Sequence, residues 1–453
     1  MKKVVQVIDE RKKQIIVAAM ITFFFFAPYS VSNVIQKITP VPTSVLVSFL
    51  VASVLLLIFL LSKPKNLFEN IILEKKLIMI SMFLIPIISV FAAFYNAGYM
   101  HSVEYLSYIK QSLPTRIINL GFFFIIFYVF NKNIQIISDN SLLRVTKAYL
   151  FSIFLIILFG IWQFLYFTAG IPILDVNTRS FVHSVEEDVL FNFRLTSFID
   201  EPSYLVPLLI EALIIGFVVY SKKLKLFSVF FALPALFVLF FSFSVSGFAN
   251  LGLVVLFGAV VLFTTQIKNK RRLLLFVLVI LAGLIIGGFI FQDTVHQLLM
   301  PIIGRFDTLF DIQQHSRLYQ TVMPFFWLFD YSFVNALFGF GPGSYEFIHM
   351  TKFLHYEVPV STTSNNMWVD LLFEYGIVGF LTFLVTFIYI LFRFYKRRNE
   401  NKYFLFSLIL WFHLGITSLY RSDFAAPRFW AVIAIVWVLY ELGVRRALKK
   451  EIS

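Results

Sequence analysis

Long apolar runs alternate with short polar connections along almost the whole chain. Runs of about 17–25 apolar residues are long enough to cross a bilayer as helices. The pattern predicts twelve spans, at about residues 15–31, 43–62, 77–95, 115–131, 148–169, 202–221, 226–242, 247–267, 273–291, 366–394, 403–420 and 428–444. We therefore expect an all-α fold, a polytopic membrane helix bundle that forms one membrane-embedded domain over residues 1–453.

Two details of this pattern concern the first span and one short turn. The first apolar run, Ile15–Tyr29, is not followed by a small-residue cleavage site, so we expect it to be retained as a membrane helix. The Ser242–Gly247 connection is very short, which predicts a tight helical hairpin or a broken helix.

Lysine and arginine residues cluster in alternate connections. The seven clusters are Arg11, Lys12 and Lys13; Lys63, Lys65, Lys75 and Lys76; Lys132, Arg144 and Lys147; Lys222, Lys223 and Lys225; Lys268, Lys270, Arg271 and Arg272; Lys396, Arg397, Arg398 and Lys402; and Arg445, Arg446, Lys449 and Lys450. Cytoplasmic connections of membrane proteins are enriched in these residues. With an even number of spans, both termini are predicted to be cytoplasmic.

Composition supports the membrane class and excludes several others. Charged residues make up 14% of the chain and hydrophobic residues 59%, whereas a soluble domain has roughly a quarter charged residues. The net charge of +13 follows from the basic clusters, so we expect the lipid bilayer, and no nucleic acid, as a partner. The chain has no cysteine, which excludes disulfides, thiolate catalysis and cysteine-ligated metal.

Two connections on the opposite, outer side are long, at residues 170–201 and 292–365. Most connections between helices take only a few residues, so a loop of this length is expected to have a function. Together these loops hold five of the seven histidines. Within the second loop, Arg317–Phe329 has the composition of an amphipathic helix on the membrane surface, and Pro324 is expected to kink it.

Four ordered motifs carry a resemblance to a known family. They are RLTSFIDEPS (Arg194–Ser203), SFSVSGFANLGL (Ser242–Leu253), HSRLYQ followed by LFGFGPGSYEF (His315–Gln320 and Leu337–Phe347), and SNNMWVDLLFEYGIVGF (Ser364–Phe380). In order and spacing, residues from about 150 to 395 resemble the bacterial O-antigen polymerase and O-antigen ligase superfamily, the Wzy-type and WaaL-like membrane glycosyltransferases. The Gly-rich piece lacks the lysine of a P-loop, so we interpret it as a tight turn near a polar ligand and not as a nucleotide motif.

The resemblance implies a function as well as a fold. It implies a GT-C-like bundle in the bacterial cytoplasmic membrane and a polymerase that transfers a glycan from undecaprenyl diphosphate onto a second lipid-linked repeat unit at the outer face. It implies no cofactor and a pathway that includes a chain-length regulator. The outer loops show no Asp-x-Asp pair and no HExxH motif, so we expect no metal.

Glycosyl transfer of this kind needs a cation for the leaving diphosphate and a base for the acceptor hydroxyl. Arginine matches phosphate oxygens with a planar, permanently charged group, and Asp, Glu or His can act as a base. The candidates for the diphosphate are Arg194 and Arg317, followed by Arg179, Arg305, Arg421 and Arg428. For each arginine, a salt bridge or snorkelling at the interface is the structural alternative.

The remaining candidates concern the base and the sugars. For the base we consider Glu201 and His315, with Asp200 and His355 as further possibilities; Glu201 can instead cap the helix that begins at Pro202. For substrate binding the candidates are Tyr345, His355, Asn365, Asn366 and Trp368. Glu374 falls in the first turns of a span, where it can equally be a helix-packing residue.

Two other functions stay open. Where the ligases have His before Asn, this chain has Asn365 and Asn366, which disfavours a ligase. A flippase for lipid-linked oligosaccharide, or another transporter, also suits twelve spans. Transporters usually place ionisable residues within the spans and show two related halves. Here we interpret Glu211 as the only acid well inside a span and see no internal repeat, which favours an enzyme.

Overall fold

The computed structural model describes residues 2–29, 41–62, 71–174, 193–199, 201–265, 317–352 and 363–452. Within these ranges the chain is helical and forms no strand, which confirms the all-α prediction for the described residues. The helices are α1 (Lys2–Phe26), α2 (Thr43–Ser62), α3 (Leu73–Met100), α4 (Val103–Asn133), α5 (Asp139–Ala169), α6 (Pro202–Val219), α7 (Leu224–Phe240), α8 (Val245–Phe263), α9 (Arg317–Trp327), α10 (Phe333–Phe338), α11 (Tyr345–Lys352), α12 (Met367–Arg397), α13 (Lys402–Thr417) and α14 (Pro427–Ile452).

Seven helices in the described part of the chain are long and apolar enough to cross a membrane, namely α2, α3, α4, α5, α6, α8 and α12. The apolar helices α7 and α13 are shorter. A helix occupies the position of every predicted span except the ninth, 273–291, which lies outside the described residues. The membrane class is thus supported, and the number of twelve spans stays a prediction.

One clear difference from the predicted boundaries concerns α3 and α4. The sequence predicted spans that end at residue 95 and begin at residue 115, whereas α3 continues to Met100 and α4 already begins at Val103. His101 reverses the chain with a left-handed φ of 49°, and the Ser102 side chain caps α4 by accepting from the Tyr105 N–H at 3.2 Å. The added turns of α4 are polar because they contact a loop and not lipid, so hydropathy did not reveal them.

Two local features agree with the sequence. The connection between α7 and α8 takes only residues 241–244, and the Ser244 side chain caps α8 by accepting from the Gly247 N–H at 3.3 Å. The amphipathic segment of the second loop forms α9, which continues through Pro324. It exposes Phe325 and Phe326 while Trp327 is buried.

The centre of the bundle is α14. Residues Phe429–Leu439 are buried almost without exception, as expected for a helix that is apolar on all sides. Helix α14 packs against α13, α4 and α5, and α1 packs against α5 and α2. This arrangement brings α4, α6, α12 and the connection between α13 and α14 (residues 418–426) close to one end of the bundle.

Hydrogen bonds between connections define the other end. The Arg445 side chain donates to the carbonyl oxygen of Ile134 and to Asp139, each at 2.8 Å. The Asn401 side chain donates to the Gly443 carbonyl oxygen at 2.9 Å, and Lys402 donates to the Val218 carbonyl oxygen at 3.2 Å. These contacts join four of the predicted basic clusters at one end of the bundle. Which compartment that end faces stays a prediction.

Candidate active site

The Gly-rich segment of the second loop packs against a break in α12. Gly376 interrupts this helix with a φ of 68°. In a continuous helix, the carbonyl oxygens of Phe373 and Glu374 would accept hydrogen bonds from residues four positions further along. Instead they accept from the backbone N–H groups of Phe340, at 3.2 Å, and Gly341, at 3.0 Å. The loop thus satisfies the polar groups that the break leaves without partners.

Glycine is required at both sides of this contact. Gly339 has a φ of 77°, and a Cβ atom there would overlap the backbone carbonyl group of Glu374. A Cβ atom at Gly376 would overlap the carbonyl group of Leu337. Left-handed φ values are costly for residues with a side chain. The two glycines therefore allow the loop and the helix to touch through their backbones.

Helix α4 holds the loop from the other side. The Tyr105 hydroxyl donates to the Phe340 carbonyl oxygen at 2.5 Å, and the Tyr108 hydroxyl donates to the Pro342 carbonyl oxygen at 2.9 Å. Ser112, one turn further, donates to the Glu346 carboxylate at 2.8 Å. These bonds fix the Gly-rich segment between α4 and α12.

A cleft opens beside this contact, and we name it the acidic cleft. Its empty volume, counted together with the open solvent at its mouth, is about 310 Å³. Its lining includes Arg116 of α4, Asp370, Glu374 and Tyr375 of α12, and Ser422 and Phe424 of the α13–α14 connection. Asp370 and Glu374 are four residues apart, a spacing that puts both carboxylates on one face of the helix.

Asp370 is held by two hydrogen bonds. Its Oδ1 atom accepts from the Ser364 backbone N–H at 2.9 Å, and its Oδ2 atom accepts from the Ser422 hydroxyl. The backbone N–H of Met367, in the same turn, donates to the Ser418 carbonyl oxygen at 2.9 Å. Asp370 therefore links the start of α12 to the α13–α14 connection.

Arg116 differs from the other arginines at this end of the bundle. Its guanidinium group faces Asp370 and Glu374 and interacts with both electrostatically. It forms no hydrogen bond or ion pair with any residue that the structure describes. A cation in this position can bind an anionic group that enters the cleft.

A second pocket lies on the other side of the α13–α14 connection, and we name it the arginine pocket. Its empty volume, counted in the same way, is about 280 Å³, and its lining includes Tyr204, Arg421 and Arg428. Arg421 donates to Asp423 at 2.7 Å and to the Tyr204 carbonyl oxygen at 2.9 Å, and its guanidinium stacks on the Tyr204 ring. Arg428 is bound by the carboxylates of Asp423 and Glu211.

Glu211 continues this ionic cluster into the interior of the bundle. The Tyr149 hydroxyl donates to Glu211 at 2.5 Å, and the His413 ring lies 3.5 Å from it. The other ring nitrogen of His413 lies 3.1 Å from the Asn250 side-chain oxygen. In this cluster two arginines are matched by two carboxylates, Asp423 and Glu211.

The predicted arginines fall into three groups. Arg421 and Arg428 are in ion pairs, the structural alternative that the sequence left open. Arg194 is buried and donates to the carbonyl oxygens of Ser242, at 3.2 Å, and Phe243, at 3.1 Å, so it joins the end of the first long connection to the short turn between α7 and α8. Arg317 begins α9, and nothing is described of its side chain. Arg179 and Arg305 lie outside the described residues.

Of the candidate bases, Glu201 alone lies within the described residues, and it lines neither pocket. Glu201 occupies the position just before α6, as predicted, but its carboxylate accepts from the Ser203 hydroxyl at 3.2 Å and not from a backbone N–H of the helix. His315, His355 and Asp200 lie outside the described residues. The roles of all these residues stay predictions.

The candidate sugar-binding residues are used mainly for local structure. The Asn366 side chain caps α12 by accepting from the backbone N–H of Trp368 at 3.0 Å, and Asn365 has a left-handed φ of 59°, which asparagine tolerates. Tyr345 is fully buried, and its hydroxyl has no hydrogen-bond partner among the described residues. Burial raises the pKa of this hydroxyl, so it stays neutral.

Sequence reasoning missed Arg116 and Asp370 and did not give Glu374 a chemical role. The interpretation that Glu211 is the only acid well inside a span stays a prediction. Asp370 and Glu374 are buried in the first turns of α12, a helix long enough to span. The sequence did contain a sign of this site: Asp370 and Glu374 are two acids four residues apart inside an apolar run. Ionisable residues in such runs usually have a function. Arg116, at the start of the fourth predicted span, gave the same signal.

No family model matches the chain, and no curated protein matches it.

Proposed function

We propose that this protein is a membrane glycosyltransferase that polymerises a polysaccharide. It transfers the growing glycan from undecaprenyl diphosphate onto a lipid-linked repeat unit. The observation that supports this best is the acidic cleft, where the guanidinium group of Arg116, which has no hydrogen bond to any described residue, lies with the carboxylates of Asp370 and Glu374.

The chemistry of transfer explains why this combination matters. When the glycosidic bond to diphosphate breaks, negative charge develops on the leaving oxygen, and a nearby guanidinium stabilises it. The acceptor hydroxyl needs a carboxylate within hydrogen-bonding reach to take its proton. The cleft offers both groups within one small opening. In this proposal Arg116 stabilises the leaving diphosphate. The sequence suggested Arg194 and Arg317 for this role, and both stay candidates for a further contact with the diphosphate.

The position of the cleft agrees with work at the outer membrane surface. The connections that join the predicted basic clusters lie at the other end of the bundle, and such clusters normally face the cytoplasm. Our proposal includes about twelve spans, a GT-C-like arrangement, cytoplasmic termini and a location in the bacterial cytoplasmic membrane. It includes no metal or other cofactor. It includes a chain-length regulator as a partner.

The test is a reaction of the purified protein with its lipid-linked repeat unit in lipid nanodiscs, read on a gel. We expect a ladder of lengthening lipid-linked glycan with chelator present and no other enzyme added. Transfer of a supplied polymer to a different acceptor, without a ladder, would indicate a ligase. Unchanged substrate would contradict both enzyme assignments.

Transport is the second candidate, and the ionic cluster around Glu211 is the observation that favours it. Charged groups buried among membrane helices often mark ion or substrate pathways. An assay in proteoliposomes distinguishes the two functions, because it measures both movement of the lipid-linked substrate between leaflets and lengthening of its glycan. A transporter moves a labelled lipid-linked oligosaccharide between leaflets without lengthening it, and Glu211→Gln reduces that movement. A polymerase lengthens the glycan and shows no such movement.

A further inference from the structure

The two carboxylates of the acidic cleft differ in how they are held, and this difference separates their roles. Both oxygens of Asp370 accept hydrogen bonds, one from the Ser364 N–H and one from the Ser422 hydroxyl. A carboxylate that is bound at both oxygens is suited to hold structure together. Transfer of a proton to it would weaken these two bonds and with them the link to the α13–α14 connection.

Glu374 is anchored through its backbone. Its carbonyl oxygen accepts from the Gly341 N–H at 3.0 Å and from the Ser89 hydroxyl at 2.5 Å. The break at Gly376 makes this possible because it removes the helical partner of that carbonyl. The Glu374 carboxylate accepts hydrogen bonds from the Gly343 N–H and the Tyr375 hydroxyl, not from Ser364 or Ser422, and it lines the cleft beside Arg116.

The charged and polar groups around the Glu374 carboxylate come from three parts of the chain. Arg116 and Tyr108 face it from α4, Asp370 and Tyr375 lie on its own helix, and the Gly343 N–H approaches from the Gly-rich segment. Arg116 thus stands beside an acid whose hydrogen-bond donors belong to α12 and the Gly-rich segment and not to the α13–α14 connection.

From this arrangement we infer that Glu374 is the general base of the glycosyl transfer, and that Asp370 is a positioning residue that holds the cleft closed on the side of Ser422. This inference rests on the proposed function. It assigns the acceptor hydroxyl to the cleft and the diphosphate of the donor to the side of Arg116.

In the proposed glycosyl transfer, the acceptor hydroxyl oxygen attacks the anomeric carbon of the donor glycan, and the hydroxyl proton passes to the Glu374 carboxylate. The bond between that carbon and the diphosphate oxygen breaks, and the electron pair leaves with the undecaprenyl diphosphate. Release of the proton from Glu374 to water returns the site to its starting state.

The experiment compares the variants Glu374→Gln and Asp370→Asn in nanodiscs. For each variant we would measure the initial polymerisation rate, the affinity for the lipid-linked repeat unit and the apparent unfolding temperature. Loss of a general base typically lowers the rate about 10²–10⁴-fold. We expect that loss in Glu374→Gln with affinity and unfolding temperature nearly unchanged. Asp370→Asn should lower the unfolding temperature and weaken binding together with the rate.

A second variant guards against misfolding. Glu374→Asp keeps the charge but withdraws it by one methylene group, so we expect a rate between those of the wild type and Glu374→Gln. A Glu374→Gln protein that polymerises at the wild-type rate would overturn the inference and leave the proposed function intact. A wild-type protein that binds the repeat unit and never lengthens it would overturn the proposed function and the inference together.

Discussion

The backbone N–H of Gly341 donates to the carbonyl oxygen of Glu374 over 3.0 Å. This bond replaces the helical hydrogen bond that α12 would make if it did not break at Gly376. It joins the Gly-rich segment of the outer loop to the helix that carries both carboxylates of the acidic cleft. The geometry of the cleft therefore depends on a contact between two backbones.

Substitution of the glycines at this contact should disrupt the cleft. Gly376→Ala and Gly339→Ala each introduce a Cβ atom that overlaps a carbonyl group of the opposite segment. The left-handed φ alone costs about 1–2 kcal/mol for a residue with a side chain, and the overlap adds to it. We expect a lower apparent unfolding temperature and loss of polymerisation, measured in the same detergent preparation.

Gly252→Ala is the matched control, since no atom lies within 4 Å of the added Cβ. It lies inside α8, where alanine is favoured over glycine by about 0.5–1 kcal/mol. The control should be as stable as the wild type or more so. If all three variants behaved alike, the backbone contact would not be important.

The ionic cluster should respond strongly to the loss of one partner. Arg428→Met leaves the Glu211 carboxylate buried without its guanidinium, and breaking a buried pair in this way costs about 3–5 kcal/mol. The double variant with Glu211→Leu removes both charges and should recover much of the loss. Unfolding temperatures of the single and double variants measure the coupling.

The control for the ionic cluster is the pair of Lys352 and Asp330. These side chains are 27% and 39% exposed, and exposed pairs contribute about 0–1 kcal/mol. Lys352→Met should therefore change the unfolding temperature little. An equally small effect of Arg428→Met would show that the cluster does not stabilise the bundle.

The absence of cysteine from the chain makes its orientation directly measurable. We would introduce Ala169→Cys, at the exposed end of α5, and Lys223→Cys, at the exposed turn before α7. A membrane-impermeant maleimide should label the first in intact cells and the second only after permeabilisation. Labelling in the reverse order would place the acidic cleft on the cytoplasmic side and contradict the proposed site of reaction.

The sequence predicted the helices well where lipid and packing impose a long apolar run. The short Ser242–Gly247 connection and the helix after Arg317 were also evident, because caps and amphipathic spacing are local signals. The start of α4 was missed, since Tyr105 and Tyr108 contact the loop and leave no apolar run. The break at Gly376 was missed because its partner, Leu337, is brought close only by tertiary folding.

The site was less predictable than the fold for a related reason. Arg116 and Glu374 lie in different helices, and nothing local in the sequence pairs them. Conversely, three arginines in or beside polar motifs turn out to have partners within the fold. Arg194 binds carbonyl groups, and Arg421 and Arg428 bind carboxylates. Local sequence shows which charged groups occur near the outer loops, and the structure shows which of them face an open cleft.

The most direct test of the proposed function replaces the guanidinium group of the cleft, Arg116. Purified Arg116→Met and Lys110→Met proteins would be compared with the wild type for glycan ladders made from the lipid-linked repeat unit. Both variants remove one positive charge from α4, but Lys110 is exposed and does not line the cleft. Removal of a group that stabilises developing charge typically lowers turnover about 10²–10³-fold. We expect that loss for Arg116→Met and wild-type ladders for Lys110→Met. A full ladder from Arg116→Met would contradict the account, as would the absence of any ladder from the wild-type protein.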